Sequence, residues 1–126
     1  MSDGHGLHDA AREVRDAYDR LNEQRLGRRW DLTDYALGFA GDVGDLAKLV
    51  MAQAGHRIDL TADRERIAHE LSDCLFSVLV IAEALGIDLE ARFPVDMATL
   101  AARVRALTEA GDPARTGAAR PSAGSL

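Results

Sequence analysis

Apolar residues recur at helical spacing along most of this chain, and nothing alternates at period two for long enough to be a strand. From Leu7 to Leu26 the positions Leu7, Ala11, Val14, Tyr18 and Leu21 form one stripe, while Arg12, Glu13, Arg15, Asp16, Asp19 and Arg20 take the other faces. That pattern predicts an amphipathic helix ended by Gly27. A second helix is predicted from near Thr33, with Asp31 or Thr33 as N-cap, to Gly55. A third is predicted from about Ala62 to Leu85, with Thr61 as N-cap and Asp63 and Glu65 in its first turn, where the helix dipole favours them. Its second half, CLFSVLVIAEAL, is apolar on most faces, so this helix should be the most buried. A fourth is predicted from around Pro94, with Met97, Leu100, Val104 and Leu107 as its stripe and Gly111 and Pro113 as its stop. The expected fold is therefore an all-α four-helix bundle over residues 1–111. From Asp112 onward the composition turns to Gly, Pro, Ala and Ser, which predicts a disordered tail over residues 112–126.

Two stretches break the simple division into apolar and polar faces. In GFAGDVGDLAKLV, Phe39, Val43, Leu46 and Val50 form the stripe, and Asp42 lies on its flank, roughly 60° from Phe39, with Leu49 between it and Asp45. The arrangement returns 28 positions later, where Ile67, Leu71, Cys74 and Val78 form the stripe and Glu70 and Asp73 take the same flank. A carboxylate beside a core stripe costs free energy unless it is paired or holds a metal. Packed antiparallel, the two helices would bring Asp42, Asp45, Glu70 and Asp73 around one point. Such an all-oxygen set suits Mg²⁺, or Mn²⁺, better than zinc or copper. The plainer alternative is a set of solvated charges paired with Arg64, Arg66 or Lys48. Gly38, Gly41 and Gly44 lie inside the same helix, each costing about 1 kcal/mol against Ala. Close helix packing, or close approach of a ligand to the backbone, would account for them.

Composition narrows the possible partners. The net charge of −6 argues against broad attraction to nucleic acid or anionic membrane. The longest apolar run, Cys74 to Ala82, is interrupted by Ser77 and too short to span a bilayer, and the polar, glycine-rich Met1 to Gly6 is no signal peptide. These features predict a cytoplasmic enzyme or binding protein. Cys74, the single cysteine, reads as a small buried hydrophobe, and one cysteine allows no internal disulfide. His5 and His8 read as exposed side chains near a loose terminus. Trp30 reads as a cap on the end of the core, with stacking on a base as the alternative.

The run DVGDLAKL, followed by HELSDCLFSVLVIAEALGIDL, resembles the all-α MazG-type nucleotide pyrophosphohydrolases over about Trp30 to Leu89. The family pattern is E-x-x-E, a spacer, then E-x-x-D. This chain has Asp42-x-x-Asp45, 24 intervening residues, and Glu70-x-x-Asp73. The first pair carries Asp for Glu, one methylene shorter at each position. The resemblance implies Mg²⁺-dependent cleavage of a nucleoside triphosphate between the α and β phosphates, giving monophosphate and pyrophosphate. It assigns Asp42, Asp45, Glu70 and Asp73 to metal and catalysis, polarising phosphoryl oxygens and acidifying a bound water. Lys48 and Arg66, each one turn from an acidic pair, become candidate phosphate contacts, with ion pairing to those neighbours as the alternative. Many relatives carry a lysine and an asparagine in the fourth helix; FPVDMATLAARVR has neither. Relatives pair or tetramerise with sites near subunit interfaces, and the many apolar faces of the third helix also predict a homodimer or dimer of dimers. Two other functions share these features: a non-catalytic helical dimer that binds a nucleotide or protein, and phosphoribosyl-ATP hydrolysis.

Overall fold

The structure is a computed structural model that describes residues 6–56 and 63–111. Among the described residues it is all-α, with four helices: α1 (Leu7–Leu26), α2 (Leu32–Gln53), α3 (Arg64–Ala84) and α4 (Leu89–Ala110). None of them is long and apolar enough to cross a membrane. The expected tail, Thr61 and His5 lie outside the described residues.

Local chemistry sets most of the helix ends. Gly27 and Gly55 follow α1 and α2 with φ of 73° and 83°, a left-handed conformation that costs glycine little. At the start of α2, the Asp31 side chain accepts from the Asp34 N–H while the Asp34 side chain accepts from the Asp31 N–H. This reciprocal capping box satisfies two of the N–H groups that a helix start leaves without partners. Arg28 donates to the same Asp34 carboxylate at 2.7 Å, tying the α1–α2 loop to it. Asp63 caps α3 by accepting from the Arg66 N–H, so α3 starts two residues later than the sequence predicts.

Helix α4 starts five residues before the predicted Pro94, which lies inside it. The extra turn has a reason outside the helix. The Leu89 N–H has no partner within α4, and it donates to His8 Nε2 at 2.9 Å. Pro94 then costs α4 one internal hydrogen bond without ending it.

The chain divides into two compact units, Met1–Glu90 and Ala91–Leu126. In the first unit α3 is the hub, packed against both α1 and α2. It is the most buried helix, as its sequence predicts, with Cys74, Ser77, Leu79, Val80 and Ala82 all buried. In the second unit α4 buries none of its residues, and Phe93, Val95 and Leu107 are all at least 60% exposed.

The faces that pack are not the ones that periodicity selects. On α2 the packed positions are Tyr35, Phe39, Asp42, Leu46 and Leu49, whereas Val43 and Val50 are exposed. The helix is turned roughly 50° from its apolar stripe, toward the acidic flank. The N-terminal half of α3 turns in the same sense, exposing Leu71 and bringing in Glu70. On α1 the buried residues are His8, Ala11, Asp19 and Asn22, while Leu7, Val14 and Tyr18 of the predicted stripe are exposed. Polar partners on α3 draw α1 round: His8 Nδ1 lies 2.7 Å from Glu83 Oε1, and Arg12 grips the same carboxylate with two nitrogens. His8 is thus buried rather than exposed as expected. Its contact with Glu83 is a close electrostatic one and not an aligned hydrogen bond.

Candidate metal centre

The rotation of α2 and α3 turns Asp42 and Glu70 toward the seam between the helices. Asp42, Asp45 and Glu70 each place a carboxylate oxygen within 4.8 Å of the other two. Asp42 and Glu70 are half-buried and Asp45 is exposed. One Glu70 oxygen, Oε2, is buried and has no hydrogen-bond partner among the described residues. A buried carboxylate oxygen without a donor loses hydration and gains nothing in return.

The electrostatics follow from this placement. Burial pushes the Glu70 carboxyl above its ordinary pKa, and the charges of Asp73, Asp42 and Asp45 add to the effect, slightly offset by His69. Burial also raises Asp42, followed by the charges of Asp73 and Asp45. Cys74 is buried behind the group, as its sequence position suggests, and its thiol is raised by burial and then by Asp42, Glu70 and Asp73. Mutual repulsion and lost hydration make this an expensive arrangement unless a cation shares it. The donors are all hard oxygens, a set that fits Mg²⁺ or Mn²⁺.

Asp73 acts on the group by its charge without joining it. It is not in the close group, and its Oδ2 lies 3.4 Å from His69 Nε2 one turn back on α3. Instead it lines a cleft of about 280 Å³ that opens beside the seam, together with Asp42 and Ser77. The remaining walls are Tyr18, Trp30, Tyr35 and Phe76, with bare backbone at Gly38. Trp30 lies parallel to Tyr18 (6.4 Å between centroids, 3° between planes) and edge-on to Tyr35 (5.5 Å, 74°). Trp30 therefore packs over the aromatic end of the core, as one expectation had it, and also lines a cleft.

Lys48 is exposed on α2, and Arg66 is exposed on α3; neither is among the residues lining the cleft. The glycines behave differently from one of the two expectations. A Cβ at Gly38, Gly41 or Gly44 would meet nothing within 4 Å, so close helix packing within the chain does not account for them. Tyr18, Tyr35 and Phe76 are absent from the site that sequence reasoning assembles. Their signal was there, since Tyr35, Gly38 and Asp42 share one face of α2, and Asp73, Phe76 and Ser77 share one face of α3.

No family model, no curated protein and no solved structure matches this chain. The resemblance to MazG-type enzymes therefore stands on the residues alone.

Proposed function

We propose that this protein is a divalent-metal-dependent nucleoside triphosphate pyrophosphohydrolase of the all-α MazG-like type, cleaving the α–β phosphate bond to give a nucleoside monophosphate and pyrophosphate. The observation that carries the reading is the pairing of a three-carboxylate group, one of its oxygens buried without a donor, with an aromatic cleft that opens beside it. A polyphosphate joined to a planar base has both halves of that chemistry.

In this reading Asp42, Asp45 and Glu70 hold Mg²⁺, and Asp73 takes part from the rim of the cleft. When bound, the ion supplies positive charge against the phosphoryl oxygens and acidifies water. The protein's own residues orient the substrate. Trp30, with Tyr18, offers ring faces to the base, and Gly38 lets the base approach the α2 backbone. Lys48 and Arg66, each one turn from an acidic pair, supply cationic contacts to the phosphates beyond the cleft.

The active form in this proposal is a homodimer or a dimer of dimers. Leu7, Val14, Leu75 and Phe76 line an apolar groove on the α1–α3 seam, and α4 keeps an apolar stripe that buries nothing. Surfaces of this kind call for a cover.

The test is a product analysis. The purified protein is incubated with ribo- and deoxyribonucleoside triphosphates and with phosphoribosyl-ATP, with and without Mg²⁺. The proposal expects Mg²⁺-dependent release of pyrophosphate and monophosphate in equal amounts from at least one nucleoside triphosphate. Release of orthophosphate and diphosphate would refute it, and so would no turnover across the panel.

A further inference from the structure

We propose that Arg15 and Asp19 of α1 are positioning residues that fix Tyr35 as the rear wall of the aromatic cleft. The proposal deepens the substrate reading above and rests on it only for the identity of the ligand.

Asp19 is an unusual residue to find where it is. It is 8% exposed, in the interior between α1 and its neighbours, on a helix that leaves Val14 and Tyr18 outside. A buried carboxylate is costly unless it is paired. Its Oδ2 lies 3.8 Å from Arg15 Nε, and the Arg15 guanidinium carbon lies 5.3 Å from the centre of the Tyr35 ring. The cation thus sits over one face of Tyr35, with the Asp19 carboxylate within ion-pair distance of it. Trp30 and Phe76 meet the same ring, at interplanar angles of 74° and 71°.

The hydroxyl end points to the same pair. Tyr35 Oη and Asp19 Oδ1 are both buried without a hydrogen-bond partner among the described residues. Burial raises the Tyr35 hydroxyl above its ordinary pKa, the Asp19 charge adds to this, and Arg15 opposes it. The ring is therefore held between a cation on its face and two aromatic neighbours, with Asp19 acting on it through Arg15. A wall held this way is ready for a planar ligand and loses little freedom when one arrives.

Trp30 is the only tryptophan and touches both Tyr35 and the cleft, so it reports on the wall directly. The experiment is acrylamide quenching of Trp30 fluorescence in the full chain without ligand, for wild type, Arg15→Lys and Asp19→Asn. Arg15→Lys keeps the charge and removes the planar group; Asp19→Asn keeps the shape and removes the charge. Both should raise the quenching constant about twofold while the melting temperature moves by less than about 5 °C. Arg20→Lys, on an exposed position of the same helix, should change neither. Unchanged quenching in a folded Arg15→Lys or Asp19→Asn protein overturns the proposal, whatever the melting temperature does. A nucleoside triphosphate titration read by the same fluorophore should then show about threefold weaker binding in both variants, with kcat retained at saturation. If wild type binds no nucleotide, the substrate reading fails and the ligand-free quenching still decides the positioning role.

Discussion

Asp42 on α2 and Glu70 on α3 bring carboxylate oxygens within 4.8 Å of one another across the helix seam, with an Asp45 oxygen within the same distance of both. Like charges at that distance in a half-buried setting oppose each other. Removing one should help the metal-free protein, which is the reverse of what a surface ion pair would show. Glu70→Gln should leave the unfolding free energy without metal unchanged or raise it, by up to about 1 kcal/mol. Urea denaturation in chelator checks this. A loss of more than about 1 kcal/mol would mean that Glu70 is a stabilising charge after all.

The same relationship sets a pH dependence. Folding raises the carboxyls of Glu70 and Asp42 above their ordinary pKa, so the folded state binds protons more tightly than the unfolded one. Their contribution to stability is fully present below the ordinary carboxylate pKa. It is lost as pH rises from there through the raised values. In chelator, the stability difference between Glu70→Gln and wild type should therefore move in the variant's favour as pH rises through that window. Asp34, lowered by Arg28, works in the opposite sense and is common to both proteins, so it cancels in the difference. A difference that stays flat with pH would contradict the account.

Assembly has its own prediction. Light scattering at micromolar concentration should give at least twice the chain mass of 13.6 kDa. Val14→Asp or Leu75→Asp, each placing a charge in the apolar groove between α1 and α3, should shift the mass toward that of one chain. A wild-type protein that runs as a single chain would remove the dimer from the proposal.

At the start of α2, Asp31→Ala should cost about 1 kcal/mol in chemical denaturation, because it removes the acceptor for the Asp34 N–H. No change would mean that the capping box contributes nothing to the fold.

Asp31 also shows which parts of the structure were legible in the sequence. Caps and stops are local, so Asp31, Gly27 and Gly55 could be read directly, and with them the order and length of α1 and α2. Pro94 could not, because the N–H that α4 needs capped, that of Leu89, finds His8 some eighty residues away. The four acidic residues were visible from their spacing, but their depth was not. Periodicity fixes which residues share a face and leaves open how far the helix is turned when it packs. On α1 the polar contacts of Glu83 with His8 and Arg12 go with a turn that buries His8 and leaves Val14 outside. On α2 and α3 a separate turn toward the acidic flank brings Asp42, Asp45 and Glu70 together and leaves Asp73 on the cleft beside Asp42.

The most direct measurement is Mn²⁺ binding by calorimetric titration, with a melting curve on the same samples, for wild type, Glu70→Gln and Asp42→Asn. Wild type should bind Mn²⁺ and gain stability with its concentration, by about 2.7 kcal/mol at a hundredfold excess over Kd. Both variants should bind at least tenfold more weakly, about 1.4 kcal/mol, with a matching loss of the thermal shift. If wild type takes up no Mn²⁺ and all three melting curves ignore it, Asp42, Asp45 and Glu70 are not a metal centre, and the hydrolase proposal falls with them.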